Sequence, residues 1–555
     1  MKGAFASVEP TVVDCRPGFS LFFDLIRKEC NGSGHPPLHR ICSLMRKMGV
    51  QCFVREELAS NQEIEEEKQA TVTRTNGGVV TLTALRLTFF RDRPPSMAWR
   101  NLAGMECLGY AVLITLTLPD NSKRPYILES VIRFPSLWTP TESAGVQANA
   151  VTNYYLHSCR EFETVIGKAK ENLTFRVNGS FFCQQNDLTH VCAHAALRMG
   201  INSSPAFTGP KLTNKFINDQ LGIDHSEAEG KRIGKYSPEA HSVGLSTEQI
   251  VCIVNKLGWK EHVAEFDLNP DIDYEAFIYP LIESGCPTIL GVHNPATAHV
   301  LAVLGHTLNS DRWTPEARLG YGAFPITPYI STSAWADHFI VNDDNFGMYV
   351  TLPAESIRNI LVPKHNPNLH AALAIGLVPP DVTISGYGAE QAAAGLAEKL
   401  VRLTDPTPQN RWLHLLKHET HECKPTHDAS QRLVCRTLLC KRQEYLGIMK
   451  TVEDDKGNRL TPTEIQTLEK ILPERFWVTE ITVPNLYTGN KRKLGDILTP
   501  AKGTGKEFLT GAMMLFFWFP GLSWHEPLTS MQGWSLFGHI PLLRGASQSK
   551  QLLEW

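Results

Sequence analysis

Apolar and polar residues in the first 165 positions alternate with the period of a helix in some segments and of a strand in others. Leu38 to Met48 has helical spacing and is followed by Gly49, which predicts a helix that ends there. A second helix is expected over 154–170, and the acidic run 63–67 is expected to lie in solvent. Strand patterns predict two hairpins, namely 71–75 with 79–90 across Asn76-Gly77-Gly78, and 111–118 with 126–134. This region is predicted to be a mixed α/β accessory domain.

Between residues 166 and 365, predicted helices come first and predicted strands follow. A run of good helix formers begins at Cys192, and a capping-box pattern from Ser246 to Gln249 opens another helix over 250–257. A third helix is expected over 274–284. Three apolar segments then predict strands of an antiparallel sheet, at 287–293, 299–306 and 338–342.

Residues 366 to 555 predict a second α/β accessory domain. Helices are expected over 391–403 and 432–449, and strands over 476–483 and 512–519. The last of these segments is the most apolar run of the chain, but it is too short to span a bilayer. The expected fold class is α+β, with an N-terminal accessory domain (1–165), a central domain (166–365) and a C-terminal accessory domain (366–555).

Composition narrows the possible partners and compartment. The 555 residues include 57 acidic and 54 basic side chains, so no general attraction to nucleic acid is expected. The first residues lack the apolar core of a signal peptide, and the 13 cysteines are scattered singly along the chain. We therefore expect a cytoplasmic protein with reduced thiols and no membrane span.

The thiol of Cys192 is the strongest candidate for a nucleophile. A polar stretch precedes it, and Ala193, Ala196 and Leu197 follow with helical spacing, which predicts a cysteine at a helix N-terminus. Free backbone N–H groups and the helix dipole stabilise a thiolate at that position.

A thiol nucleophile needs a base, a group that orients the base, and donors for the oxyanion. His299 opens a predicted strand, where it can face the N-terminus of a helix packed on the sheet, and Asp343 stands just after the next strand. Gln185 or Gln184, upstream of the cysteine, has a side-chain amide that suits an oxyanion. These residues predict a Cys-His-carboxylate site in papain-like order.

Three segments, QQNDLTHVCAHAALRM, GCPTILGVHNPATAHVLAVLGHT and DHFIVNDDNFGMY, together resemble the papain-like cysteine peptidase superfamily. They are most similar to its bacterial branch that includes the bacteriocin-processing (double-glycine) peptidases. The resemblance implies Cys192 as nucleophile, His299 as base, Asp343 as orienting residue and Gln185 as oxyanion donor. Asp343 is preferred because Gly347 follows it as in that branch, while Asp344 and Asn342 stay open as alternatives.

The spacing of the oxyanion residue departs from the family pattern. The family has its glutamine six residues before the cysteine, where this chain has Asn186, and Gln185 is seven residues away. Either the loop holds one extra residue or the oxyanion hole is altered.

Metal ligation is the main competing chemistry. On an extended strand, His190, Cys192 and His194 would face one side and suit zinc, but the helix-forming residues that follow argue against a strand. The His/Cys-rich stretch from His414 to His427, with Cys435 and Cys440 after it, does not meet the HExxH motif; a solvated loop is expected there, and structural zinc stays open as an alternative. We expect neither a metal nor another cofactor.

The expected function is that of a cysteine peptidase or amide hydrolase that acts on a peptide or protein through Cys192, His299 and Asp343. Two alternatives stay open: a thiol acyltransferase or deamidase on the same fold, and an inactive module that binds peptides or partner proteins. The accessory domains offer surfaces for a protein partner.

Overall fold

The computed structural model describes residues 6–15, 24, 36–134, 154–186, 188–223, 245–307, 329–358, 368–403, 433–450, 453–454, 459–484, 492–503, 515–523 and 535–536. Contacts divide the chain into two units. The first comprises the described residues of Met1–Glu261, Gly285–His306 and His338–Ile375, and the second those of His262–Ser284, Thr307–Asp337 and Gly376–Trp555. Both units combine helices with largely antiparallel sheets, so the multidomain α+β class is confirmed. The predicted boundaries at 165 and 365 stay predictions.

Helices and strands are numbered along the described part of the chain. Helices α1 to α9 are Pro36–Lys47, Gln62–Arg74, Cys192–Ser203, Asn214–Leu221, Thr247–Lys256, Tyr274–Glu283, Gly386–Leu403, Arg442–Met449 and Pro462–Ile471. Strands β1 to β21 are Thr11–Asp14, Cys52–Glu57, Thr81–Phe90, Cys107–Thr117, Lys123–Arg133, Tyr154–Leu156, Arg160–Lys168, Glu171–Phe182, Lys260–Glu265, Thr288–Asn294, Thr297–Thr307, Tyr329–Ser331, His338–Asp343, Gly347–Pro353, His370–Val378, Leu433–Lys441, Glu453–Asp454, Arg475–Thr482, Arg492–Pro500, Leu515–Ser523 and Ser535–Leu536.

The first unit contains two sheets, and helix α3 packs on both. One sheet has the order β1-β2-β3-β4-β5-β8-β7, and the other contains the run β14-β13-β11-β10-β15, with β6 paired to β11. Helix α3 contacts β8 of the first sheet, and β10 and β13 of the second. Every residue of α3 from Ala193 to Ser203 is buried, because alanines and other small or apolar side chains let the strands approach closely. This packing holds the start of α3 beside the ends of β11 and β13.

The second unit is built on the sheet β12-β16-β18-β19-β20. Helices α6 and α7 pack on β16 of this sheet, and α8 and α9 form a smaller apolar cluster with its strands. The sheet buries hydrogen-bonded polar side chains, such as the hydroxyls of Thr437 and Thr479, which lie 2.9 Å apart. Among the described residues of the chain, no helix is long and apolar enough to cross a membrane.

Three predictions for the N-terminal region were wrong. Residues 71–75 form the end of α2 and its cap instead of a strand, because Asn61 caps the helix and Ile64, Glu67 and Thr71 share its buried face. The run 63–67 is therefore helical, and Glu67 is buried instead of solvated. Residues 154–170 form β6 and β7 instead of a helix, because the alternating residues of β7 pair with β8.

The prediction of a helix over 432–449 was half wrong. Its first half is β16, paired with β18, and α8 begins only at Arg442. A short apolar run such as 433–440 fits either state by periodicity alone, and pairing in a buried sheet decided it. The helices expected at 38–48, 250–257, 274–284 and 391–403 are confirmed. The stretch from His414 to His427 lies outside the described residues.

Candidate active site

Cys192 is the first residue of α3, as the sequence predicts. It is half-buried, whereas the rest of the helix is buried. The N–H of Val191, which precedes it, donates to Nδ1 of His194 at 3.4 Å. This hydrogen bond caps the first turn of the helix with a side chain of the same helix. The thiol therefore lies at an ordered helix N-terminus with access to solvent.

His299 is the third residue of β11 and faces the thiol from the second sheet. It pairs with Val292 of β10 across the hairpin, so the sheet determines the position of its backbone. Oδ1 of Asp343 lies 3.1 Å from Nε2 of the imidazole, and the Cys192 thiol is close enough to the ring to raise the pKa of His299. The structure therefore brings together the three residues that the sequence selects as a triad.

Asp343 is the carboxylate closest to the base. Its Oδ1 accepts Nε2 of His299 at 3.1 Å, and the backbone N–H groups of Asn345 at 2.8 Å and Phe346 at 3.3 Å. The same oxygen thus holds the imidazole and the turn after β13. Asp344 is second, with its Oδ1 at 3.5 Å from the same nitrogen.

The remaining alternative, Asn342, has a structural role. Its Nδ2 donates to the carbonyl of Phe181 at 3.0 Å, and its Oδ1 accepts the N–H of Tyr349 at 3.0 Å. Both ends of the amide are therefore used in joining β13 to β8 and β14. The geometry favours Asp343 for the orienting position that the sequence left open.

The electrostatics of the site favour a charged imidazole. Burial alone would lower the pKa of His299, but hydrogen bonds with Asp343 and Cys192 and the charges of Asp343 and Asp344 raise it to about 10. At neutral pH the ring is therefore an imidazolium. A cation next to a thiol stabilises the thiolate, which is the nucleophilic form.

The amide side chains proposed as oxyanion donors differ in the hydrogen bonds that they already make. Gln184 uses its side-chain oxygen to accept the N–H of Ile127 at 3.2 Å, and Asn186 uses its own to accept the N–H groups of Leu188 and Thr189, each at 2.9 Å. Gln185 is half-buried in the loop before α3, and its side chain makes no hydrogen bond to any described residue. An oxyanion needs an N–H donor: Nδ2 of Asn186 already donates to Thr189 Oγ1 at 2.9 Å, whereas no hydrogen bond to a described residue uses Nε2 of Gln184 or of Gln185.

The loop before Cys192 rests on Glu67, a residue that the sequence analysis placed in solvent. Its Oε2 accepts from Tyr126 at 3.0 Å and lies 3.2 Å from Nε2 of His190, while its Oε1 accepts from Asn214 at 2.8 Å. Burial alone would raise the pKa of Glu67, but its interactions with His190 and Asn214 lower it to about 2. The sequence feature that could have predicted a helix here is Asn61, a helix-capping residue two positions before the acidic run 63–67.

Two groups of side chains at or near Cys192 contain atoms that could bind a metal. His190, Cys192 and His194 do not share a strand face, because α3 begins at Cys192, and His190 and His194 bond to Glu67 and Asn218. Ligand atoms of His299, Asp343 and Asp344 do lie within 4.8 Å of one another. The 3.1 Å contact between Nε2 of His299 and Oδ1 of Asp343 is also the distance of a hydrogen bond, which satisfies the pair without a metal. The expectation of no cofactor stays a prediction.

Comparison of the chain with family models, with curated proteins and with solved structures yields no match. The case for a function therefore rests on the geometry around Cys192.

Proposed function

We propose that the first unit is a papain-like cysteine peptidase or amide hydrolase that acts on a peptide or protein. The observation that carries this proposal is the imidazole of His299, which lies 3.1 Å from the Asp343 carboxylate and interacts with the thiol at the start of α3. A nucleophile, a base and a group that orients the base form the minimal set for thiol-mediated acyl transfer.

In the proposed reaction, the Cys192 thiolate attacks the amide carbonyl carbon and a C–S bond forms. The negative charge passes to the carbonyl oxygen, where the backbone N–H of Cys192 and the amide of Gln185 are the proposed donors. The His299 imidazolium then gives its proton to the leaving nitrogen as the C–N bond breaks. Water, deprotonated by His299, hydrolyses the thioester and restores the thiol, while Asp343 keeps the ring oriented throughout.

The second candidate function is an inactive module that binds peptides or partner proteins. It is favoured by Asn186, which occupies the position of the family's glutamine and uses its amide to organise the loop. In that case Gln185 would not reach the oxyanion, and the thiol would have no efficient reaction to carry out.

The test is reaction of the full chain with a peptidyl acyloxymethyl ketone, followed by mass spectrometry, and hydrolysis of a fluorogenic peptide library. We expect one label, lost in Cys192→Ala, and hydrolysis reduced at least ~10³-fold in that variant. Cys252→Ala is the matched control, because Cys252 is also a half-buried free thiol of the same unit. Equal labelling and turnover in wild type and Cys192→Ala would refute the proposal, whereas binding of peptides without turnover would favour the inactive module.

A further inference from the structure

Two consecutive carboxylates approach the same imidazole nitrogen. Oδ1 of Asp343 lies 3.1 Å and Oδ1 of Asp344 3.5 Å from Nε2 of His299. Consecutive residues of a regular strand face opposite sides of the sheet, so this arrangement needs an irregular strand end. The pairing of β13 with β14 shifts register between Val341 and Asp343, at the point where the strand turns. The backbone thus has the irregularity that brings both acids to His299.

The two carboxylates have different surroundings. Asp343 is tied to the turn through the N–H groups of Asn345 and Phe346, and its side chain is 9% exposed. Asp344 is fully buried. A buried carboxylate at 3.5 Å interacts with the imidazolium with little screening by solvent. Asp343 therefore determines the direction of the ring, and Asp344 adds a shielded negative charge beside it.

We propose that Asp344 is a second positioning residue, which retains the charged form of His299 beside Cys192 and takes over the orienting contact when Asp343 is lost. This inference rests on the proposed function. Among the described residues, the charged and polar groups that interact with the ring are Cys192 from α3, and Asp343, Asp344 and Asn345 from β13 and its turn. A change of one acid therefore leaves the other in contact with the ring.

The first test follows His299 by NMR in protein labelled with ¹³C-histidine, with the signal assigned through its absence in His299→Gln. In Asp344→Asn we expect the titration midpoint to fall by about one pH unit or more relative to wild type. Asp344→Ser is a second neutral variant in case the first fails to fold, and Asp344→Glu, which keeps the charge, is expected to restore the midpoint. Asp219→Asn is the control, since it removes an equal charge from the exposed end of α4. An unchanged midpoint in the folded neutral variants would overturn the inference.

The second test compares rates of Cys192 alkylation and of peptide hydrolysis in single and double variants. If Asp344 takes over, Asp343→Asn loses less than ~10²-fold, and Asp343→Asn with Asp344→Asn loses far more, toward the ~10⁴-fold seen when a triad histidine has no carboxylate. Equal rates in Asp343→Asn and the double variant would contradict the inference. Titration and alkylation do not require turnover, so a wild type that alkylates normally but hydrolyses nothing would refute the peptidase and leave the role of Asp344 testable.

Discussion

Two histidine–carboxylate contacts in the described part of the first unit have nearly the same separation and very different surroundings. His299 lies 3.1 Å from Asp343, and His190 lies 3.2 Å from Glu67. The His299 side chain is 13% exposed and meets a thiol, whereas that of His190 is 1% exposed. Glu67 also takes hydrogen bonds from Tyr126 and Asn214.

The difference shows that a short histidine–carboxylate contact is not in itself a sign of catalysis. The His190 ring is only 1% exposed and the Glu67 carboxylate is held by Tyr126 and Asn214, so a reacting atom has little access to this pair. The His299 pair keeps one side of its ring for Cys192 and for solvent. Under the proposed function, the His190–Glu67 pair stabilises the loop and the His299–Asp343 pair takes part in the reaction, and the predictions below test that division.

The largest expected effect separates the two histidines by activity. His299→Ala is expected to lower kcat/KM by about 10⁴-fold per folded molecule, because the thiol loses the group that exchanges its proton. His190→Ala is expected to lower it by less than ~10-fold per folded molecule, because His190 touches no reacting atom. Fluorogenic peptide kinetics, corrected by active-site titration of folded protein, measure both. Comparable losses of kcat/KM in the two variants would contradict the different roles proposed for the two histidines.

The next effect separates the two pairs by stability. Glu67→Ala is expected to lower the free energy of unfolding by about 3 kcal/mol, because it leaves His190, Tyr126 and Asn214 without their common buried partner. Glu66→Ala is the matched control, since this neighbour is only half-buried and is expected to change stability by less than ~0.5 kcal/mol. Urea unfolding followed by circular dichroism gives both values. A loss as small for Glu67 as for Glu66 would show that the network does not support the fold.

The His299–Asp343 pair, which we propose to be catalytic, could be predicted from the sequence, whereas the His190–Glu67 pair could not, for a physical reason. Cys192 and His299 stand at the starts of a helix and a strand, which periodicity and helix-forming residues reveal locally. Asp343 was preferred over Asn342 and Asp344 by resemblance, and only the contacts of each side chain distinguish them. Glu67 reaches its partners through packing of α2 against residues far along the chain, and an acidic run in isolation resembles a solvated surface.

The dependence on contacts far along the chain also explains the helices and strands that were predicted wrongly. Residues 71–75 are rich in β-branched threonine and valine, yet Asn61 starts a helix that extends through them. In 432–449 a strand and a helix follow each other directly, and the apolar pattern does not mark the junction. Local propensity thus located most elements of the site, while tertiary pairing decided the ambiguous ones.

A third expected effect is that the two pairs lose their contributions to the free energy of unfolding at opposite ends of the pH scale. The pKa of Glu67 falls from an ordinary value near 4.5 to about 2, so its contribution is present above pH ~4.5 and is lost as the pH falls toward 2. The pKa of His299 rises from near 6.5 to about 10, so its contribution is present below pH ~6.5 and is lost as the pH rises through 10.

Two variants isolate these contributions from the titration of the remaining groups. The free energy of unfolding, measured by urea titration from pH 3 to pH 10.5, is compared between wild type and each variant. The difference in the free energy of unfolding between wild type and Glu67→Gln should become smaller only on the acidic side of this range. The difference between wild type and His299→Gln should become smaller only on the alkaline side, because each variant lacks one titrating group. Each variant thus provides its own reference at the opposite end of the pH range. A difference in the free energy of unfolding that becomes smaller at both ends would indicate general destabilisation and would contradict the assignment. A gap for His299→Gln that stays constant up to pH 10.5 would instead show that the ring is not held as an imidazolium beside Asp343, and the charged pair proposed for catalysis would lose its support.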